Sequence, residues 1–141
     1  MTARFIVGID LGTTNTVVAF ADTLTSGEGA LPRAQVFPLP QWVAAGEVAA
    51  RPSLQSARYQ ATEEELPEAR TLHADSMPGV LGGLALELGA RVPSRLVTSA
   101  KSWLCHGAVD RRAAILPWGA PAEVPKISPV DASASYLAHV R

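Results

Sequence analysis

The chain has 141 residues, of which 48% are hydrophobic, so it can build a folded core as one domain or as part of a larger one. Its charges nearly balance at a net −1, which provides no basic surface of the kind that binds nucleic acid. No apolar run approaches the roughly 20 residues that cross a bilayer, and the single cysteine, Cys105, excludes an intrachain disulfide and fits a reducing cytoplasm.

The chain begins with a predicted β-hairpin. Apolar residues predict a buried strand over 4–9 and a second strand over 16–21. The turn between them is short and contains Gly12 and Asn15, two residue types that tolerate turn conformations. We therefore expect the two strands to pair antiparallel.

Shorter elements follow up to residue 60. Glycine and proline over 22–33 predict a loop. Residues 34–43 predict a third strand, which Pro38 and Pro40 place at the edge of a sheet because proline has no amide to donate. A further strand is predicted over 53–60.

The middle of the chain alternates between loop, strand and helix. Residues 61–79 are acidic and predict a solvated surface loop. The pattern then predicts a short strand over 80–84 and a short helix over 85–90. Extended structure over 96–98 is followed by a predicted helix over 99–105.

The last segment predicts the clearest helix. Ser128 is a favourable N-cap, Pro129 suits the first helical position, and Asp131 follows three residues after the cap. The predicted apolar face consists of Val130, Ala134, Leu137 and Ala138. This face has no evident partner later in the sequence, and Arg141 ends the helix without a C-cap. We therefore expect the chain to be a piece of a longer protein.

The hairpin turn contains the residues that indicate chemistry. Gly12 allows close ligand approach, and the amides of Gly12, Thr13 and Thr14 can converge on an anion, with two threonine hydroxyls as further donors. Asp10, at the strand end, suits a hydrated Mg²⁺, which takes one or two carboxylates. A plain hairpin with a polar turn is the alternative, and for an arbitrary Gly-Thr-Thr it would be preferred. The buried strand and Asp10 favour a phosphate and metal site.

The segment Val-Gly-Ile-Asp-Leu-Gly-Thr-Thr-Asn-Thr over residues 7–16 resembles the first phosphate motif of the 70-kDa heat-shock (DnaK-type) chaperones. That family belongs to the actin-like ATPases together with actin and the sugar kinases. Sugar kinases share the Asp-x-Gly-Thr core but usually lack the Thr-Thr-Asn run. The run therefore favours the chaperone branch.

Weaker similarities extend over most of the chain. The chain differs from the family pattern after the third strand. Family members often have Leu-Pro-Ser there, and this chain has Leu54-Gln55-Ser56. The segments that resemble the family are 41–48 followed by Pro52 and 56–59 (the third strand and its passage into the small subdomain), 80–85, 96–104 (the catalytic-lysine segment) and 128–141 (the helix that returns to the large subdomain).

The resemblance implies an α/β (α+β) fold, an incomplete N-terminal lobe of the actin-like, ribonuclease H-like type. A β-hairpin sheet and the returning helix, residues 1–36 and 117–141, would form part of the large subdomain, and residues 37–116 a small inserted subdomain. The implied cofactors are ATP or ADP with Mg²⁺. Asp10 would hold Mg²⁺ through water and serve catalysis, and Gly12, Thr13, Thr14 and Asn15 would bind phosphates.

Lys101 has a role only through the resemblance, since a lysine at a helix start is ordinarily solvated. It aligns with the lysine that reaches the γ-phosphate and the attacking water, where a compact cation can neutralise developing charge. The implied function is ATP-dependent assistance of protein folding in the cytoplasm. Unfolded clients and co-chaperones would bind the remainder of the protein, and residues 1–141 alone would be inactive and prone to self-association.

Two alternatives remain open from the sequence: a sugar or acetate kinase of the same superfamily, and a non-catalytic actin-like scaffold. Other polar and aromatic residues suggest no site. Cys105 and His106 lack a second pair of metal ligands, and Cys105 is predicted to be a small core residue. His73 and His139 are predicted to be isolated and exposed. The tryptophans are predicted to pack, and the Arg111-Arg112 pair to lie at the surface.

Overall fold

A mixed α+β arrangement of short antiparallel sheets and helices forms in the computed structural model, which describes residues 3–24, 31–62, 65 and 79–141. The strands of this part are β1 (Phe5–Leu11), β2 (Asn15–Asp22), β3 (Gln35–Val36), β4 (Leu39–Ala44), β5 (Glu47–Arg51), β6 (Leu54–Gln55), β7 (Ala57–Tyr59), β8 (Val80–Leu81) and β9 (Leu96–Thr98). The helices are α1 (Gly83–Arg91), α2 (Ala100–Trp103) and α3 (Pro129–His139), and Pro93–Arg95 forms a 3₁₀ turn.

The predicted hairpin is confirmed. β1 and β2 pair antiparallel over the full length of β1, from Phe5 opposite Asp22 to Leu11 opposite Thr16. Both β3 and β6 pair with β2, so β2 is the inner strand and β1 lies at an edge. The other sheets are the β4–β5 hairpin and a three-stranded sheet in the order β8-β7-β9.

The prediction of one strand over 34–43 is wrong. The segment divides into β3 and β4, which belong to different sheets and are separated by Phe37 and Pro38. Pro38 has no amide to continue a ladder, so the chain can leave the β2 edge there. β4 instead pairs with β5 across a turn in which Gly46 has φ of 73°, a left-handed conformation that favours glycine.

Most later elements agree with the predictions in type and differ in extent. Residues 53–60 form two short strands, β6 and β7, in different sheets. The predicted helix over 85–90 lies within α1. The predicted helix over 99–105 extends only over Ala100–Trp103. It does not include Ser99, because that residue has φ of 54° and lies outside helical geometry. The predicted acidic loop lies mostly outside the described residues, as do His73 and much of the 22–33 loop.

Helix α3 begins as predicted but faces the core with a different side. The Ser128 hydroxyl accepts the amide of Asp131 at 3.0 Å. Val130 and Leu137, from the predicted apolar face, are exposed, while α3 buries Ala132, Ser133, Ser135 and Tyr136. The buried serines satisfy themselves within the helix: Ser133 donates to the Pro129 carbonyl at 2.8 Å and Ser135 to the Ala132 carbonyl at 2.7 Å. Polar residues can therefore occupy the core side of this helix.

Two apolar clusters hold these elements together. The larger joins β2, β4, β6 and α3 through buried side chains that include Val18, Leu39, Leu54 and Tyr136. The smaller lies between β7 and α1 and includes Tyr59. Arg58, on β7, is also buried, and burial lowers its pKa to about 10.

The prediction that the first strand is buried is wrong. On β1, Phe5, Ile6, Val7 and Ile9 are 47%, 59%, 60% and 49% exposed. The cause is the position of β1 at the sheet edge, where its apolar sequence lacks a covering element within the described residues.

The helices of the described part of the chain are too short for a transmembrane span.

Candidate functional site

The tight turn between β1 and β2 places Thr13 and Thr14 at its tip. The Gly12 amide donates to the Asn15 carbonyl at 3.0 Å and closes the turn. A Cβ on residue 12 would collide with the backbone carbonyl oxygen of Asn15, so the turn requires glycine there. This differs from the expectation that the Gly12 amide is available for an anion, because the turn itself uses that donor.

The donors that remain belong to the two threonines. Thr13 and Thr14 are exposed, and neither their amides nor their hydroxyls bond to any other residue in the described ranges. Main-chain amides in a tight turn beside side-chain hydroxyls form the kind of concave donor set that binds anions. Asn15 is exposed and pairs with Gln55 through its backbone. The turn tip can therefore offer N–H and O–H groups to a phosphate.

Asp10 lies at the end of β1, opposite Val17, and its side chain is exposed. It forms no ion pair with the residues that the structure describes. Within these described residues, no three His, Cys, Asp or Glu side chains lie together in a way that could hold a metal ion. One exposed carboxylate beside this donor set is compatible with a hydrated Mg²⁺, which binds through one or two carboxylates plus phosphate and water oxygens.

Lys101 contacts the hairpin at Leu11, which lies 90 positions earlier in the sequence. Its Nζ donates to the Leu11 carbonyl at 2.6 Å. Leu11 lies between Asp10 and Gly12, so the ammonium group stands beside the strand end that carries the carboxylate and the turn. α2 supplies this lysine, and the left-handed residue Ser99 turns the chain from β9 into that helix.

Ser56 fixes the turn from behind, a role that the sequence alone did not indicate. Its amide donates to the Thr14 carbonyl at 2.8 Å, and its hydroxyl donates to the Gly12 carbonyl at 2.8 Å. A serine hydroxyl has one proton, so its 3.1 Å contact with the buried Thr16 hydroxyl is one in which Thr16 donates. No local pattern in the sequence marks Ser56, because the residues that its hydroxyl contacts lie 40 and 44 positions earlier in the chain.

The remaining predicted residues lie apart from this turn. Cys105 is exposed, so the prediction of a core residue is wrong. Trp118 is 63% exposed and packs on Trp103, with the two rings stacked and their centroids 5.0 Å apart. His139 is not isolated, because its Nε2 lies 2.8 Å from the Pro40 carbonyl. Arg111 and Arg112 are exposed as predicted.

Comparison of the chain with protein-family models, curated proteins and solved structures finds no match. The likeness of this chain to the 70-kDa heat-shock chaperones therefore rests on the resemblance of its motifs alone. The geometry brings together Asp10, the Gly12–Asn15 turn and Lys101, which are the residues predicted to bind a nucleotide and its metal.

Proposed function

We propose that this chain is the N-terminal part of the ATP-binding and ATP-hydrolysing domain of a chaperone similar to the 70-kDa heat-shock family, with an actin-like fold. The observation that carries the proposal is the 2.6 Å hydrogen bond from the Lys101 Nζ to the Leu11 carbonyl. It joins the two segments that resemble the family's phosphate motif and its catalytic-lysine segment.

The site would act through position and charge. The amides and hydroxyls of Thr13 and Thr14 would donate to phosphate oxygens, and Asp10 would hold Mg²⁺ through water. Lys101 would stabilise negative charge on the transferred phosphoryl group, since phosphoryl transfer needs electrostatic stabilisation more than covalent participation. When bound, Mg²⁺ would neutralise phosphate charge.

The described residues supply one wall of such a site. A nucleotide bound between two lobes also needs groups for its adenosine and a second set of phosphate donors, which we place outside residues 1–141. Clients and co-chaperones would bind other parts of the whole protein. The chain alone would therefore bind Mg²⁺–ATP weakly and would not turn it over.

Affinity for Mg²⁺–ATP, measured by calorimetry on the chain and its variants, tests this proposal. Lys101→Ala should weaken binding by about tenfold, since a charge-assisted hydrogen bond contributes roughly 1.5–3 kcal/mol and this site is exposed. Lys126→Ala is the matched control, because Lys126 is also exposed but lies on the segment before α3. Equal affinity of both variants, or rapid ATP hydrolysis by the chain alone, would contradict the proposal.

A further inference from the structure

We propose that Ser56 is a positioning residue for the anion site at the hairpin turn, because its hydroxyl fixes the direction of the Thr13 amide. The proposal rests on the function proposed above and adds to it a residue that does not itself contact the ligand. It depends only on the contacts that the turn makes with Ser56 and Lys101, all within the described residues.

Ser56 holds two carbonyl oxygens of the turn. Its hydroxyl donates to the Gly12 carbonyl and its amide donates to the Thr14 carbonyl, both at 2.8 Å. Ser56 is only 4% exposed. Both carbonyls therefore point towards a buried residue and away from the solvent side of the turn.

The direction of a carbonyl fixes the direction of the amide that follows it. In a trans peptide, such as the one between Gly12 and Thr13, the C=O and the next N–H lie in one plane and point in opposite directions. The Gly12 carbonyl points to Ser56, so the Thr13 N–H points away from it. Thr13 is exposed. The Ser56 hydroxyl thereby keeps an N–H donor on the open side of the turn.

The preceding peptide, between Leu11 and Gly12, is already fixed at both ends. Its carbonyl accepts the Lys101 Nζ at 2.6 Å, and its N–H donates to the Asn15 carbonyl at 3.0 Å. Gly12 lies between this peptide and the next and has no side chain, so it permits the next peptide to rotate. The bond from the Ser56 hydroxyl opposes that rotation.

The orientation of this peptide decides what a phosphate would meet. An N–H group attracts an anionic oxygen, whereas a carbonyl oxygen turned towards the same place repels it. Gly12 is half-buried, so its carbonyl would gain contact with water by rotating outward. Ser56 therefore keeps the turn a set of donors and preorganises it before an anion binds.

Thr16 provides a control that separates this role from stability. Its hydroxyl is buried and lies 3.1 Å from the Ser56 hydroxyl. Ser56→Ala removes this contact together with the bond to Gly12, whereas Thr16→Val removes the contact and keeps the bond. A positioning role predicts that only Ser56→Ala changes the behaviour of the Thr13 amide.

Amide ¹⁵N relaxation of the ligand-free chain measures how firmly the Thr13 N–H is held. We expect an order parameter of about 0.85 in the wild-type chain and in Thr16→Val, the value of a rigid backbone, and a fall towards about 0.6 in Ser56→Ala. An unchanged value in Ser56→Ala, or the same fall in Thr16→Val, would overturn the proposal. A low value in the wild-type chain would overturn it without any variant. Circular dichroism would verify that each variant is folded.

An NMR titration with Mg²⁺–ATP measures the effect on affinity. Ser56→Ala should raise the dissociation constant at least about fivefold, because one donor to a charged oxygen is no longer held in place, and Thr16→Val should leave it unchanged. Equal affinity of Ser56→Ala and the wild-type chain would contradict the positioning role. No shift of the Thr13 resonance in the wild-type chain would instead refute the proposed function, and the order parameters would still decide whether Ser56 holds this peptide.

Discussion

Removing the Ser56 hydroxyl should destabilise the chain through the turn that it supports. In Ser56→Ala the backbone bond to Thr14 remains, and two side-chain bonds disappear. The Thr16 side chain is fully buried, so its hydroxyl loses its acceptor with no water to replace it. The Gly12 carbonyl is half-buried and can recruit solvent.

The expected magnitude follows from those two environments. A buried polar group left without a partner costs roughly 1–3 kcal/mol, and Thr16 should incur most of that cost. A solvated carbonyl such as that of Gly12 adds little. We therefore expect Ser56→Ala to lower the free energy of unfolding by about 2 kcal/mol.

Urea denaturation followed by circular dichroism measures this loss. Thr23→Ala is the matched control, because its hydroxyl also donates to a main-chain carbonyl but does so at the surface, with the Arg4 and Ala3 carbonyl oxygens 2.9 and 3.1 Å away. Its loss should be about 0.5 kcal/mol. Thr16→Val combined with Ser56→Ala should cost less than the two single changes together, because no unpaired donor remains. A loss for Ser56→Ala no larger than that for Thr23→Ala would refute the reasoning.

Three further changes address the turn, the helix cap and acid stability. Gly12→Ala should destabilise the fold by roughly 1–3 kcal/mol because its Cβ collides with the Asn15 carbonyl, whereas Gly107→Ala, in open space, should be nearly neutral in the same denaturation assay. Ser128→Ala should cost about 1 kcal/mol through loss of the α3 cap, measured by thermal unfolding. Asp22→Asn should make the free energy of unfolding fall less steeply as the pH is lowered, which denaturation at a series of pH values would measure.

The acid prediction follows from the pKa of Asp22. The Leu24 amide, at 3.0 Å, and then the Arg4 guanidinium hold the pKa of this carboxyl below its ordinary value. The Asp22 carboxyl therefore remains ionised to a lower pH in the folded state than in the unfolded state. The stabilisation is complete above the unfolded pKa of about 3.9 and is lost as pH falls through the folded pKa. An acid limb unchanged in Asp22→Asn would contradict this assignment.

Features set by adjacent residues could be predicted from the sequence. The first hairpin and its Gly12 turn, and the Ser128 cap of α3, each depend on local conformational preference and short-range hydrogen bonds. The extended segment at Leu96–Thr98 agrees for the same reason.

Features set by distant partners could not be predicted. β4 leaves the β2 sheet because β5, beyond Gly46, provides a better-paired hairpin. The predicted core side of α3 is wrong because the buried serines satisfy their hydroxyls within the helix, and hydrophobic periodicity cannot detect buried polar residues. The Ser56 contacts span about forty residues and lack a local pattern. Only the resemblance predicts a role for Lys101. Its distance along the sequence from Asp10 gives no physical reason to expect the two residues near each other.

The most direct measurement of nucleotide binding at the hairpin turn is an NMR titration of the chain with Mg²⁺–ATP. We predict that the Thr13 and Thr14 amide resonances shift and saturate together, because their N–H groups donate to phosphate. The Gly12 amide, engaged by the Asn15 carbonyl, should shift less. Unchanged Thr13 and Thr14 resonances at nucleotide concentrations that shift others would contradict a phosphate site at this turn.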